Sequence, residues 1–264
     1  MPIDVLPVWL LFFLTIGLVV ISVEIGFRLG RTVRRKTKDE REAPASSISG
    51  VILGLQAFLL AFTFSIVSDR YDTKKSLVRE EANVIRTTWN RADFLPEPDR
   101  AKAKALLQEY LERRIAVMHS RDLGSARDAG AYSLGIQRQL WDMAVVHSRT
   151  DMNSDIGAQY LESLNEVASL HALRVGIGLQ SRLPTAIWVA LLSLLTLGMM
   201  GLGYHCALAD SRRSRVVPFL AIAFSLVVAL IASLDYPGNK IMPVSQQALE
   251  TVLSEMKTVS GSGQ

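Results

Sequence analysis

Four stretches of this sequence carry no formal charge: Val5–Val23, Ala43–Ser68, Leu183–Ala209 and Val216–Leu234. Each is close to the ~20 residues a helix needs to cross ~30 Å of hydrocarbon. A helix lying on a soluble core would show polar residues every three or four positions, and these blocks do not. Hydrophobic residues make up 49% of the 264 and charged residues 20%. What matters is that the apolar ones are gathered into blocks. The expected fold is therefore an all-α polytopic membrane protein with spans at residues 5–29, 46–68, 183–208 and 216–235. A helical extramembrane bundle at 69–182 is inserted between spans two and three, and a tail with a short amphipathic helix occupies 236–264. The start, "MPIDVLPVW", lacks the basic n-region of a signal peptide, and no A-x-A-like site follows, so the first block is expected to be a retained span.

Several function classes lose support at this stage. Cys206 is the single cysteine, so there is no intrachain disulfide framework. The net charge of +4 is modest and lacks interleaved aromatic and basic residues, which argues against nucleic-acid binding. There is no Walker loop, no GxGxxG after a strand, no GxSxG and no HExxH. The four histidines, His119, His147, His171 and His205, lie far apart without metal-ligand spacing. We expect no enzyme, no cofactor and no metal.

The segment between spans two and three is polar but helically patterned. "AKAKALLQEYLERRIAVM" puts Ala103, Leu107, Tyr110, Leu111 and Met118 on one face, and "IGAQYLESLNEVASLHALRV" does so with Ile156, Tyr160, Leu164, Val167 and His171. Turns are expected at "LPEPD", at "RDLGSARDAG" near Gly124 and at "RTDMNSD", with Asp99 and Asp155 as N-caps. In the tail, a Pro237–Gly238 turn precedes a Ser245 cap and a helix with Val244, Ala248, Val252 and Met256 on one side; "SGSGQ" reads as flexible. From Ala61 to Ile85 there is no Pro or Gly, so span two is expected to continue as one helix into the bundle and couple the two.

Few side chains stand out in the spans. Glu24 is an ionisable residue in the last third of span one, with Arg28 four residues on, which suits either a local ion pair or a role in a polar pathway or interhelical contact. Gly50, Gly54, Ala57, Ala61 and Ser65 form a small-residue ridge on span two that allows close helix approach. Phe58, Phe62 and Ile66 line an adjacent face: lipid or core contact in a monomer, stacked hydrophobic rings in an oligomer. Arg70 sits where that span meets water, and Asp235, at the end of span four on the same side, is its candidate partner; a solvated face needing none is the other reading. The two short loops hold nine Lys/Arg together, which by the positive-inside tendency puts them in the cytoplasm and the bundle outside.

Three stretches together resemble the bestrophin-like domain family of four-span bacterial membrane proteins. They are "LAFTFSIVSDRYDTKKSLVREEANVIRTTWNRADFLPEP", "SRLPTAIWVALLSLLTLGMMGLGY" and "LDYPGNKIMPVSQQALETV". Glu81-Ala82-Asn83 and Leu95-Pro96 are the most specific parts, while Asn239–Lys240 departs from the family pattern after Asp235-x-Pro237. The resemblance implies a relation to bestrophins, pentameric anion channels whose second span lines the pore. It implies Phe58, Phe62 and Ile66 as pore-neck residues, Asp69–Ile85 as the helix joining pore to bundle, and a cytoplasmic bundle. No acidic cluster resembles the bestrophin calcium clasp, so calcium gating does not carry over. The partners expected are the lipid bilayer and further copies of the chain. The alternative is a non-conducting scaffold or sensor whose bundle binds another protein.

Overall fold

The structure, a computed structural model, describes residues 7–36, 42–120, 123–150, 154–180, 182–209, 217–236 and 242–262. Among these there is no strand. The helices are α1 Val8–Lys36, α2 Glu42–Arg91, α3 Asp99–Ser120, α4 Leu123–Thr150, α5 Asp155–Gln180, α6 Thr185–Leu208, α7 Val217–Asp235 and α8 Gln247–Ser262. Four of them, α1, α2, α6 and α7, are long and apolar enough to cross a membrane. The chain divides into two compact units: Met1–Tyr71 with Arg182–Met242, and Asp72–Ser181 with Pro243–Gln264. As the lack of Pro and Gly over Ala61–Ile85 dictates, α2 passes this division without interruption.

In the membrane unit α1 packs against α6 and α7. One apolar cluster joins Leu60 and Val67 of α2 to Val228 and Ile231 of α7, and a second joins Val19, Leu195, Met199 and Ala221. Glycine sets the spacing between α1 and α6. A Cβ built at Gly203 would lie 2.1 Å from the Val23 carbonyl oxygen, and one at Gly26 would lie 1.9 Å from that of Met200. The close approach expected of small residues thus occurs at Gly26, Gly30 and Gly203. Among the described residues beyond the helix's own backbone, nothing lies within 4 Å of a Cβ built at Gly50 or Gly54 of the α2 ridge. The Gly26-x-x-x-Gly30 spacing was the available signal for the α1 contact.

The bundle unit contains the C-terminal part of α2 with α3, α4, α5 and α8 around one core. Ala103, Leu107, Tyr110 and Leu111 are buried as the α3 pattern requires, and Tyr160, Leu164, Val167 and His171 as the α5 pattern requires. Ile156 is not: it lies exposed in the first turn of α5. The Met118 side chain and the Pro237–Gly238 turn lie outside the described residues. Leu249, Val252 and Met256 anchor α8 in the core, with Val244 and Ala248 at its edge.

Several local expectations are corrected. Gly124 begins a helix instead of forming a turn, and α8 continues through Ser260, Gly261 and Ser262. The first basic loop is largely helical, since α1 runs to Lys36 and α2 starts at Glu42. Ser154, not Asp155, caps α5, its Oγ accepting from Gly157 N at 3.1 Å. Before α3 the capping carboxylate is Glu97, which accepts from Ala101 N at 3.3 Å, while Asp99 pairs with His147 Nε2 at 2.7 Å. Ser245 does cap α8, accepting from Gln247 N at 3.3 Å.

Candidate functional site

Two constellations stand out, one in each unit. In the membrane unit, α2 turns its apolar side chains two ways. Leu60 and Val67 point inward, as does Gln56, whose amide is fully buried and takes no hydrogen bond. Phe58 and Phe62 point away from the chain, 68% and 54% exposed, with ring centroids 6.4 Å apart and nearly parallel planes. Ile66 is only partly exposed and leans on the internal cluster. Gly50, Gly54, Ala57, Ala61 and Ser65 are exposed too. Apart from the Gln56 amide, the inner face of α2 is covered by its own chain; among the described residues, the face carrying Phe58, Phe62 and the small residues is not.

The polar pairs resolve differently from one another. Arg28 Nε donates to Glu24 Oε1 at 2.8 Å, the local i,i+4 pair. Arg70 Nη1 lies 3.9 Å from Asp235 Oδ1, an ion pair without a hydrogen bond. The shorter contact of that oxygen is 2.9 Å, from Leu183 N just before α6. Asp235 therefore holds the chain where it enters α6 as well as compensating Arg70.

The bundle holds a buried charge network that the helical patterns did not single out. Glu81, fully inaccessible on α2, meets Arg114 Nη2 at 3.1 Å from α3 and the Arg174 guanidinium from α5. The Tyr110 hydroxyl donates to Glu81 Oε1 at 3.2 Å and lies 3.2 Å from His171 Nδ1. Because Tyr110 gives its proton to Glu81, His171 must carry a proton on Nδ1 and donate it to Tyr110. Arg174 Nη2 also donates to Gln246 Oε1 at 3.1 Å, and Gln246 Nε2 donates to Val244 O at 2.9 Å, fixing the segment before α8. One carboxylate thus faces two guanidiniums, and Arg114 Nε is buried without a partner. Burial pulls Arg174 down to about 10, which leaves it charged at neutral pH. The sequence signal was a Glu inside the apolar stripe Leu77, Val78, Ala82, Ile85, with Tyr110/Arg114 and His171/Arg174 spaced for single helix faces.

Burial, with a smaller push from Arg114, lowers His171 to about 4, below its ordinary 6.5. The folded bundle thus binds fewer protons here than the unfolded chain, so the associated stability is present above pH 6.5 and lost as pH falls from 6.5 toward 4. Thermal midpoints followed by circular dichroism should fall between pH 6.5 and 5 in the native chain. His171→Asn, which keeps an N–H donor but does not titrate, should flatten that slope; an identical slope would assign it to other groups.

The comparisons bear on what these two constellations belong to. The description of a bestrophin-like domain matches residues 16–249. The chain belongs to the bestrophin-like family. Among solved structures, a bacterial bestrophin homologue from Klebsiella pneumoniae superposes with a TM-score of 0.65 at 14% identity, covering 96% of this chain and 98% of that one. A single-residue variant of a Klebsiella pneumoniae homologue gives 0.66 at 15%, covering 96% and 99%. A further structure described as a membrane protein gives 0.66 at 14%, covering 96% and 98%. At these identities the likeness establishes the fold of this bestrophin-like chain. No curated protein matches it.

Proposed function

We propose that this bestrophin-like chain assembles into a homo-oligomer, a pentamer by its family relationship, around an anion-permeable pore lined by α2. The observation that carries this reading is the outward apolar face of α2, where stacked Phe58 and Phe62 adjoin a ridge of Gly54, Ala57 and Ala61. Small residues permit neighbouring copies to approach closely. The aromatic line, repeated around an axis, forms hydrophobic rings that restrict ion passage by dewetting, with Ile66 at their lower edge. Glu24–Arg28 and Arg70–Asp235 act as local ion pairs that keep charge at the ends of the spans.

Mass measurement in detergent comes first, because a monomer or dimer cannot close a ring of α2 helices. In a higher oligomer, Phe62→Ala should raise anion flux into liposomes severalfold over the native chain. Absence of flux in both forms would transfer the reading to a scaffold whose bundle binds a partner protein. Gln56 favours that second reading to a degree, since this strongly polar side chain of α2 turns inward and leaves the outer face without a polar ladder.

We infer, with the family relationship as support and against the loop charge count, a bacterial inner-membrane location with the bundle in the cytoplasm. Reporters fused between Arg121 and Asp122 and at Ser211 test this. Cytoplasmic signal from the first and periplasmic signal from the second is the expected result, and the reverse would restore the charge-based orientation.

A further inference from the structure

The first helix changes character along one outward stripe. Phe13, Val20, Glu24, Arg28, Arg31 and Arg35 follow one another at helical spacings of three, four or seven residues, so they share one side of α1. The opposite side carries Gly26 and Gly30, which meet the α6 backbone, and the stripe therefore looks away from α6. Its first part is apolar and uncovered: Phe13 is 61% and Val20 42% exposed, with Ile21 beside them at 59%. Counted from Val8, the ~20 residues that cross the hydrocarbon end near Phe27. Arg28, Arg31 and Arg35 come directly after and extend ~10 Å along the axis, through the layer that phospholipid headgroups occupy.

The charges on this stripe are not balanced by the chain. Glu24 is its one acid, and Arg28 Nε donates to it at 2.8 Å. Arg31 lies over the Phe27 ring, 6.0 Å from its centroid, and among the described residues no carboxylate pairs with Arg31 or Arg35. All three arginines are exposed. Arg34, on a different side of the helix, behaves otherwise: its Nη1 donates to Ala207 O at 3.5 Å, at the C-terminal end of α6.

We propose that this stripe is a docking face for an anionic phospholipid. The acyl chains lie along Phe13, Val20 and Ile21, and the headgroup phosphate accepts from Arg31 and Arg35. Arginines in water need no partner, so charge alone does not select the occupant. The selection comes from exposed apolar surface and uncompensated charge meeting on one side of one helix, at the depth where chain passes into headgroup. A soluble anion would use the arginines and leave the apolar part uncovered. Guanidinium N–H pairs match phosphate oxygens, and two unbalanced charges favour a headgroup of net negative charge over a zwitterionic one. The face belongs to α1 and does not depend on whether α2 lines a pore.

The full chain in nonionic detergent is titrated with dioleoyl phosphatidylglycerol or dioleoyl phosphatidylcholine, and bound lipid is counted by native mass spectrometry. Saturable binding that favours phosphatidylglycerol is expected. A basic residue near an anionic surface is worth about fivefold in affinity, so Arg31→Gln with Arg35→Gln should weaken phosphatidylglycerol binding at least about tenfold. Arg138→Gln, at an exposed position of the bundle, should leave it unchanged. Arg31→Lys with Arg35→Lys keeps the charge and should keep most of the binding, which separates lost charge from lost folding. Inorganic phosphate at the lipid's concentration should not displace it. Equal binding of the two lipids, unchanged affinity in the double Gln variant, equal loss in the double Lys variant or in Arg138→Gln, or displacement by phosphate would overturn the proposal. So would a double Gln variant that changes the oligomer mass while lipid binding stays intact, since that assigns the face to a second copy.

Discussion

Glu81→Ala is expected to remove most of the stability of the helical bundle. The substitution deletes a fully buried carboxylate and leaves two guanidiniums, Arg114 and Arg174, facing each other without compensation. Removing one partner of a buried ion pair costs about 3–5 kcal/mol, because the survivor stays desolvated and unpaired. Here there are two survivors of like sign, and Tyr110 also loses its acceptor. Against a typical domain stability of about 5–15 kcal/mol, little would remain. Circular dichroism melts and protease sensitivity of the full chain should show early loss of the bundle helices. The triple change Glu81→Leu, Arg114→Met, Arg174→Met should recover much of the midpoint, since replacing the whole network by apolar side chains leaves no stranded charge. If Glu81→Ala melts like the native chain, the network is not a stabilising element.

The contrast between the two units shows what a single sequence discloses. Four spans are legible because membrane insertion demands charge-free blocks of fixed length, a one-dimensional property. The Glu24–Arg28 pair is legible for the same reason, since i,i+4 neighbours meet on any helix. The uninterrupted α2 is legible from the missing Pro and Gly. The Glu81 network is not a local property: its members come from α2, α3, α5 and the segment before α8, and only tertiary packing brings them together. Nor does periodicity say which element a face meets. It identifies the ridge Gly50–Gly54–Ala57–Ala61, but it cannot tell that, among the described residues, Gly50 and Gly54 meet no neighbouring helix while Gly26 and Gly203 carry the tightest contacts. The caps show competition at short range. Asp155 has the right chemistry, but Ser154 is one residue earlier, in position to reach Gly157 N.

That difference between ridges sets up the second large effect. Gly203→Leu should disrupt the membrane unit, because even the first carbon of the new side chain would sit 2.1 Å from the Val23 carbonyl oxygen and 3.0 Å from Phe27 N. These are backbone atoms of α1 and cannot rotate aside, so α1 and α6 must separate along their length. Overpacking where side chains can adjust costs about 1–3 kcal/mol; a clash with backbone belongs beyond that range. Gly26→Leu should behave alike, meeting the Met200 backbone from the other helix. Gly54→Leu has open space within the chain, so its monomer should melt as the native one does. If copies pack through the α2 ridge, however, Gly54→Leu should lower the oligomer mass in detergent. The pair of readouts separates the two ridges: Gly203→Leu lowers the thermal midpoint of the chain itself, and Gly54→Leu changes assembly at constant midpoint. An unchanged mass for Gly54→Leu would mean that this face meets lipid, and the axial pore would lose its main support.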